Sequence, residues 1–95
     1  MAVGVVLDFD GATLDQYDEI IKLMNLKPGG STPPDALFHW VAKTGSGLKV
    51  VDVWKSREAF DKFAQEQIGP FSAQVGIGEP KMEFFDVHNF LIGKP

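Results

Sequence analysis

Imidazole and carboxylate side chains are scarce in apolar strands, and this sequence places one of each in two neighbouring ones. The stretch ALFHWVAKTGSGLKVVDVWKS, Ala36 to Ser56, reads as a hairpin around Gly45-Ser46, with His39 in its first strand and Asp52 in its second. A two-residue turn of the type that takes glycine first is expected there. With Thr44 facing Gly47, counting back pairs Val41 with Val50, His39 with Asp52 and Leu37 with Trp54, all on one face of the hairpin. A carboxylate across from an imidazole can hydrogen-bond it and select its tautomer, which orients the ring as a general base for proton abstraction. In that arrangement His39 is the base and Asp52 its orienter. Trp54 and Leu37 then wall a pocket for an aromatic substrate. The same residues also suit a plainer role, a structural or partly solvated cross-strand pair.

Two further side chains could join this chemistry. Tyr17 lies on the apolar stripe Leu14, Tyr17, Ile20, Ile21, Met24 of a predicted helix, where its hydroxyl can reach between helix and sheet or serve as the polar tip of a core residue. His88 follows Phe84 and Asp86 at strand spacing, so these side chains could line one pocket or meet at a subunit interface. Tyr17 and His88 are candidate oxyanion donors. Two histidines with scattered carboxylates have no zinc spacing, so no metal site is expected. Gly29-Gly30 lacks the strand, spacing and following helix of a phosphate loop.

These residues must be positioned by a chain of 95 residues, the length of one compact domain, expected to span 1–95. The net charge is −4, and the nine Lys and Arg residues are dispersed, which argues against nucleic acid as a partner. Cysteine is absent, which excludes disulfides and thiolate chemistry and suits a reducing cytoplasm. Asp8 interrupts the first apolar run, so neither a signal peptide nor a membrane span is expected, and the predicted location is cytoplasmic.

Val3 to Asp10 alternates Val3, Val5, Leu7, Phe9 with Gly4, Val6, Asp8, Asp10, the period of a strand. Thr13 and Gln16 form a capping-box pattern at the head of the first helix. KPGGSTPPD, Lys27 to Asp35, must be a loop. Ser56 caps a second helix with a buried side of Ala59, Phe60, Phe63, Ala64 and Ile68, predicted to end near Gly69-Pro70. A last strand is expected over Lys81 to Leu91. The order βαββαβ implies an α+β, ferredoxin-like fold: a four-stranded antiparallel sheet with two helices on one face. The uncovered face keeps Val6, Phe38 and Trp40, with Phe85, Val87 and Leu91 of the last strand, too much apolar surface for water, so a homodimer packed sheet to sheet is expected.

That element order, the two-sided apolar strands and the string VVDVWKSREAFDKF, Val50 to Phe63, resemble the dimeric α/β-barrel superfamily, and within it the antibiotic-biosynthesis-monooxygenase-like group. ALFHWVAK and FFDVHNFL are similar to segments of small uncharacterised bacterial members. The resemblance covers nearly the whole chain. It implies a dimeric α/β barrel with a small apolar or aromatic ligand between sheet and helices, and activities that include cofactor-independent oxygenation of polyketide-like aromatics and polyketide cyclisation. Haem degradation is not implied: the first strand offers Asp8 rather than Asn, Phe63 stands near the position of the helical Trp, and no His lies between Ser56 and Val87. The function expected is thus a cofactor-independent monooxygenase. The alternatives are a polyketide cyclase and a noncatalytic apolar-ligand-binding or stress-associated dimer.

Overall fold

A computed structural model describes residues 1–93. Four strands, β1 (Val3–Asp10), β2 (Ala36–Lys43), β3 (Gly47–Trp54) and β4 (Lys81–Asp86), form one antiparallel sheet in the order β2-β3-β1-β4. Helix α1 (Leu14–Leu23) connects β1 to β2. The connection from β3 to β4 runs through one unbroken helical stretch, α2 (Arg57–Phe63), a π-helical turn (Ala64–Ile68) and α3 (Gly69–Val75), and then the non-helical residues 76–80. This is the expected α+β, ferredoxin-like arrangement.

Alternation along β1 decides which face the helices cover. Val3, Val5, Leu7 and Phe9 are buried, and they join Leu48, Val50 and Trp54 of β3 and Phe60 of α2 in one core. Val5, Leu7, Trp54 and Phe60 are the largest fully enclosed side chains. The rings of Trp54 and Phe60 meet edge to face at 5.9 Å, as do Phe60 and Phe84 at 5.6 Å; such pairs contribute beyond the area they bury. Gly47 is dictated by backbone proximity, since a Cβ there would lie 2.0 Å from the carbonyl oxygen of Phe9.

Both helix starts follow the sequence. The Thr13 hydroxyl accepts from the Gln16 N–H at 3.2 Å, and Gln16 Oε1 accepts from the Thr13 N–H at 2.9 Å, the reciprocal pattern of a capping box. Gln16 Nε2 also donates to the Val75 carbonyl at 3.1 Å, tying α1 to α3. Ser56 Oγ accepts from the Ala59 N–H at 3.1 Å.

Three expectations need correction. The second helix does not stop at Gly69-Pro70. The π turn carries an i→i+5 bond from the Gly69 N–H to the Ala64 carbonyl and sets Pro70 at the head of α3, where a missing donor is tolerated; helix then continues to Gly76, whose φ of 83° ends it. The hairpin connects at Gly45-Ser46 as predicted, but Gly45 has no positive φ, so the turn is not of the glycine-first type; the Gly47 N–H donates to Thr44 Oγ1 at 3.0 Å. The last strand ends at Asp86 rather than Leu91, because the pairing stops where β1 does: Asp86 faces Val3, and the Val87 N–H donates to the Ala2 carbonyl at 3.0 Å.

The face away from the helices is uncovered. Its positions are Phe38 and Trp40 of β2, Val51 and Val53 of β3, Val6 of β1 and Phe85 of β4. Phe38 and Trp40 are each 42% exposed and Phe85 54%.

Candidate active site

Between the inner face of the sheet, α1, α3 and the Lys27–Pro33 loop lies a cavity of about 710 Å³. Its walls are mostly apolar, with Leu7 and Val50 from the sheet, Ile20 from α1 and Phe63 and Ile68 from the second helical connection. Tyr17, His39, Asp52 and Trp54 all line it.

The register places them. His39 faces Asp52 and Val41 faces Val50, as the turn predicted. His39 Nδ1 lies 2.6 Å from Asp52 Oδ1. The other carboxylate oxygen, Oδ2, accepts from Trp54 Nε1 at 3.2 Å. The hydroxyl of Tyr17, reaching in from α1, lies 2.5 Å from His39 Nε2, with the two ring planes within 8° of each other. The result is a continuous chain, Tyr17–His39–Asp52–Trp54, along one wall.

Donor and acceptor roles follow from the ends of the chain. The indole N–H can only donate, so Asp52 Oδ2 accepts. A carboxylate at Oδ1 likewise accepts, which puts the Nδ1 proton of His39 toward Asp52 and leaves Nε2 to accept from the Tyr17 hydroxyl. Asp52 is only 5% exposed; a carboxylate so enclosed is tolerable because both oxygens are hydrogen-bonded. Tyr17 has its pKa pushed up to about 12, chiefly by burial and then by the negative charges of Asp52 and Asp18. Tyr17 thus holds its own proton at neutral pH.

Leu37 and His88 do not join the site. The ladder between β2 and β3 slips between Ala36 and Phe38, so Ala36 rather than Leu37 pairs with Trp54. Leu37 is the residue left over at this irregularity, and Ala36 takes the place on the cavity wall. His88 lies beyond the end of β4, exposed to solvent, so the alternation that would align it with Phe84 no longer operates. Phe84 faces Phe60 in the core. Among the described residues no group of three or more His, Cys, Asp or Glu could hold a metal ion, and no helix is long and apolar enough to cross a membrane.

The sequence marks Trp54 only as a wall, and the structure adds its donation to Asp52. Tyr17 is legible as a residue near the cleft, and its bond to His39 is not. The signal for Tyr17 was its place on the inner stripe of α1. The signal for Trp54 was its position two residues beyond Asp52 on the same strand face.

Neither a protein-family model nor a curated protein matches the chain. Solved structures do. A "putative Antibiotic biosynthesis monooxygenase" from Chloroflexus aurantiacus superposes with a TM-score of 0.63 at 21% identity, over 98% of this chain and 100% of that one. A second protein of the same description, from Deinococcus radiodurans, superposes with a TM-score of 0.53 at 9% identity over 100% of both chains. The chain thus shares the ferredoxin-like fold of these proteins over nearly its whole length, as its βαββαβ order led one to expect.

Proposed function

We propose that this chain is an antibiotic-biosynthesis-monooxygenase-like enzyme that oxygenates an aromatic or polyketide-like substrate without a cofactor. One observation carries the reading: an ordered Tyr–His–Asp–Trp chain opens on an apolar cavity large enough for a multi-ring ligand. The similarity of fold to the two solved structures supports it.

The chemistry begins with proton abstraction. Because His39 Nε2 is occupied by the Tyr17 hydroxyl, Tyr17 and His39 act as one base. As the Tyr17 oxygen takes a proton from an activated C–H or phenolic O–H of the substrate, its own proton passes to Nε2, and the imidazolium faces Asp52. Tyr17 remains neutral throughout, in keeping with its raised pKa. The substrate anion is electron-rich enough to reduce dioxygen directly. For an activated methylene, dioxygen adds to the carbanion carbon, the peroxide takes up the proton and water is lost. The balance is CH₂ + O₂ → C=O + H₂O, with one oxygen atom in the product, the other in water, and no external reductant.

In the same reading the protein is a cytoplasmic homodimer in which the uncovered sheet faces pack together and enclose Phe38, Trp40 and Phe85. Their exposure in the single chain supports this.

The capping of Nε2 by Tyr17 favours one other reading, a noncatalytic pocket whose polar chain is purely structural. Oxygen consumption and product formation across a panel of phenolic and polyketide-like compounds separate the two. Turnover that is lost in His39→Ala with the fold retained supports the enzyme. Binding without turnover across the panel supports the noncatalytic pocket, and ring closure without oxygen uptake would mark a cyclase using the same base.

A further inference from the structure

In the chain Tyr17–His39–Asp52–Trp54 the phenol, the imidazole and the carboxyl group can all gain or lose a proton, and the indole N–H of Trp54 cannot. Its donation to Asp52 Oδ2 at 3.2 Å comes from a ring that is held in place. Trp54 is 2% exposed, with Phe60 edge-on at 5.9 Å and Phe63 tilted against it at 4.9 Å. Donor and acceptor stand two residues apart on one face of β3, a rigid element. Among the described residues Asp52 has no other side-chain donor besides His39, and on β1 it faces Val5. The remaining titratable groups on the described cavity wall are Tyr17, Asp18 and Lys22 of α1 and Lys27 of the loop, of which only Tyr17 is bonded to the pair, at Nε2. The part of the wall formed by α2, the π turn and α3 brings Phe63, Ile68 and Ser72, none of them charged.

We propose that Trp54 is a positioning residue for the base, acting through Asp52. With Oδ2 held by the indole, Oδ1 is turned toward His39 Nδ1, and part of the carboxylate's charge is met by a donor that never gives its proton away. A carboxylate drawn in two directions pulls less strongly on the imidazole, so His39 Nε2 does not collect a second proton from solvent and stays open to the proton of Tyr17. Without the indole N–H the charge of Asp52 falls on His39 alone, and the imidazole binds its extra proton more tightly. The catalytic value of this arrangement rests on the reading of Tyr17 and His39 as the base; the hold of Trp54 on the imidazole does not.

An isostere isolates the N–H. In the full chain Trp54 is exchanged for 3-benzothienylalanine, which keeps the bicyclic shape and carries sulfur in place of the N–H, and His88→Gln leaves His39 as the sole imidazole. The ring signals of His39 are then followed by NMR through a pH titration. Loss of the donor should raise the proton affinity of the imidazole by about 3- to 10-fold, read as titration at a higher pH than in the His88→Gln parent. Phe63→Leu, which loosens the packing around the indole and leaves its N–H, should titrate with the parent. Where turnover is followed, the acid limb of kcat should move the same way with KM unchanged. An imidazole that titrates unchanged or at lower pH in the isostere, or one displaced equally in Phe63→Leu, would overturn the assignment. Displacement confined to the isostere, found beside undiminished turnover in His39→Ala, would support the assignment and overturn the enzyme reading instead.

Discussion

Both faces of the sheet carry large apolar side chains, but with opposite fates. On the inner face Val5, Leu7 and Trp54 are at most 2% exposed, and the polar groups set among them form one satisfied chain. On the outer face Phe38, Trp40 and Phe85 remain 42–54% exposed, and the nearest polar pair is a loose ion contact, Lys49 Nζ to Asp8 Oδ1 at 3.7 Å. Burial makes the difference. Where helices exclude water, an unpaired polar group is costly, so the buried Asp52 is held in one geometry by His39 and Trp54. Where water remains, ionic contacts are weak and specify little. In the proposed reading, chemistry therefore belongs to the inner face, and association to the outer one.

The largest expected effect lies in the polar chain. In Asp52→Asn the amide cannot accept from both His39 and Trp54 through its two ends, so the NH₂ must face one donor or His39 must change tautomer. Turnover should drop by about 10² to 10⁴ in kcat with the far-ultraviolet spectrum retained; an unchanged kcat would remove the chain from catalysis. Next comes a matched pair of tryptophan truncations followed by denaturant unfolding. Trp54→Ala should cost about 3–5 kcal/mol. The cost of Trp40→Ala should grow with protein concentration, as for a residue buried only in a dimer. Equal, concentration-independent losses at both positions would erase the distinction between the faces.

Titration offers a finer probe of how dry the inner side is. Tyr17 is the chain's one tyrosine, so tyrosinate absorbance reads a single group. Its midpoint should lie near about 12 rather than 10.0. The sign for stability follows: between those values the unfolded chain has lost the tyrosine proton and the folded chain has kept it, so this group's contribution falls as pH rises. Tyr17→Phe should flatten the decline in that window, and equal slopes in parent and variant would place Tyr17 in a wet environment. The smallest effect is expected on the outer face, where Lys49→Ala should change stability by less than about 1 kcal/mol, with any effect fading in salt.

Period-two alternation in β1, the Thr13–Gln16 cap and the turn at Gly45-Ser46 are local signals, and each was legible in residue order. The turn sets the register of its own hairpin, so the His39–Asp52 pairing follows from residue order alone. The count from the turn failed at Leu37, five residues further from the turn than Ala42, because nothing local announces the irregularity that gives its place to Ala36. It failed at His88 for a related reason, since the length of β4 is set by β1, its distant partner. Pro70 misled in the opposite direction, because a widened π turn accommodates a residue that ordinarily stops a helix.

Residue order by itself thus determined the βαββαβ order, the faces along β1 and near the hairpin turn, and the cross-strand pair at the heart of the site, because these depend on neighbours a few positions apart. Only tertiary packing decided that the Tyr17 hydroxyl would cap His39, that Trp54 would donate to Asp52 and that the Ser72 hydroxyl on α3 would be buried without a partner. Those contacts depend on how far α1 and α3 stand off the sheet, a distance set by the summed volume of the whole core rather than by any short stretch of it.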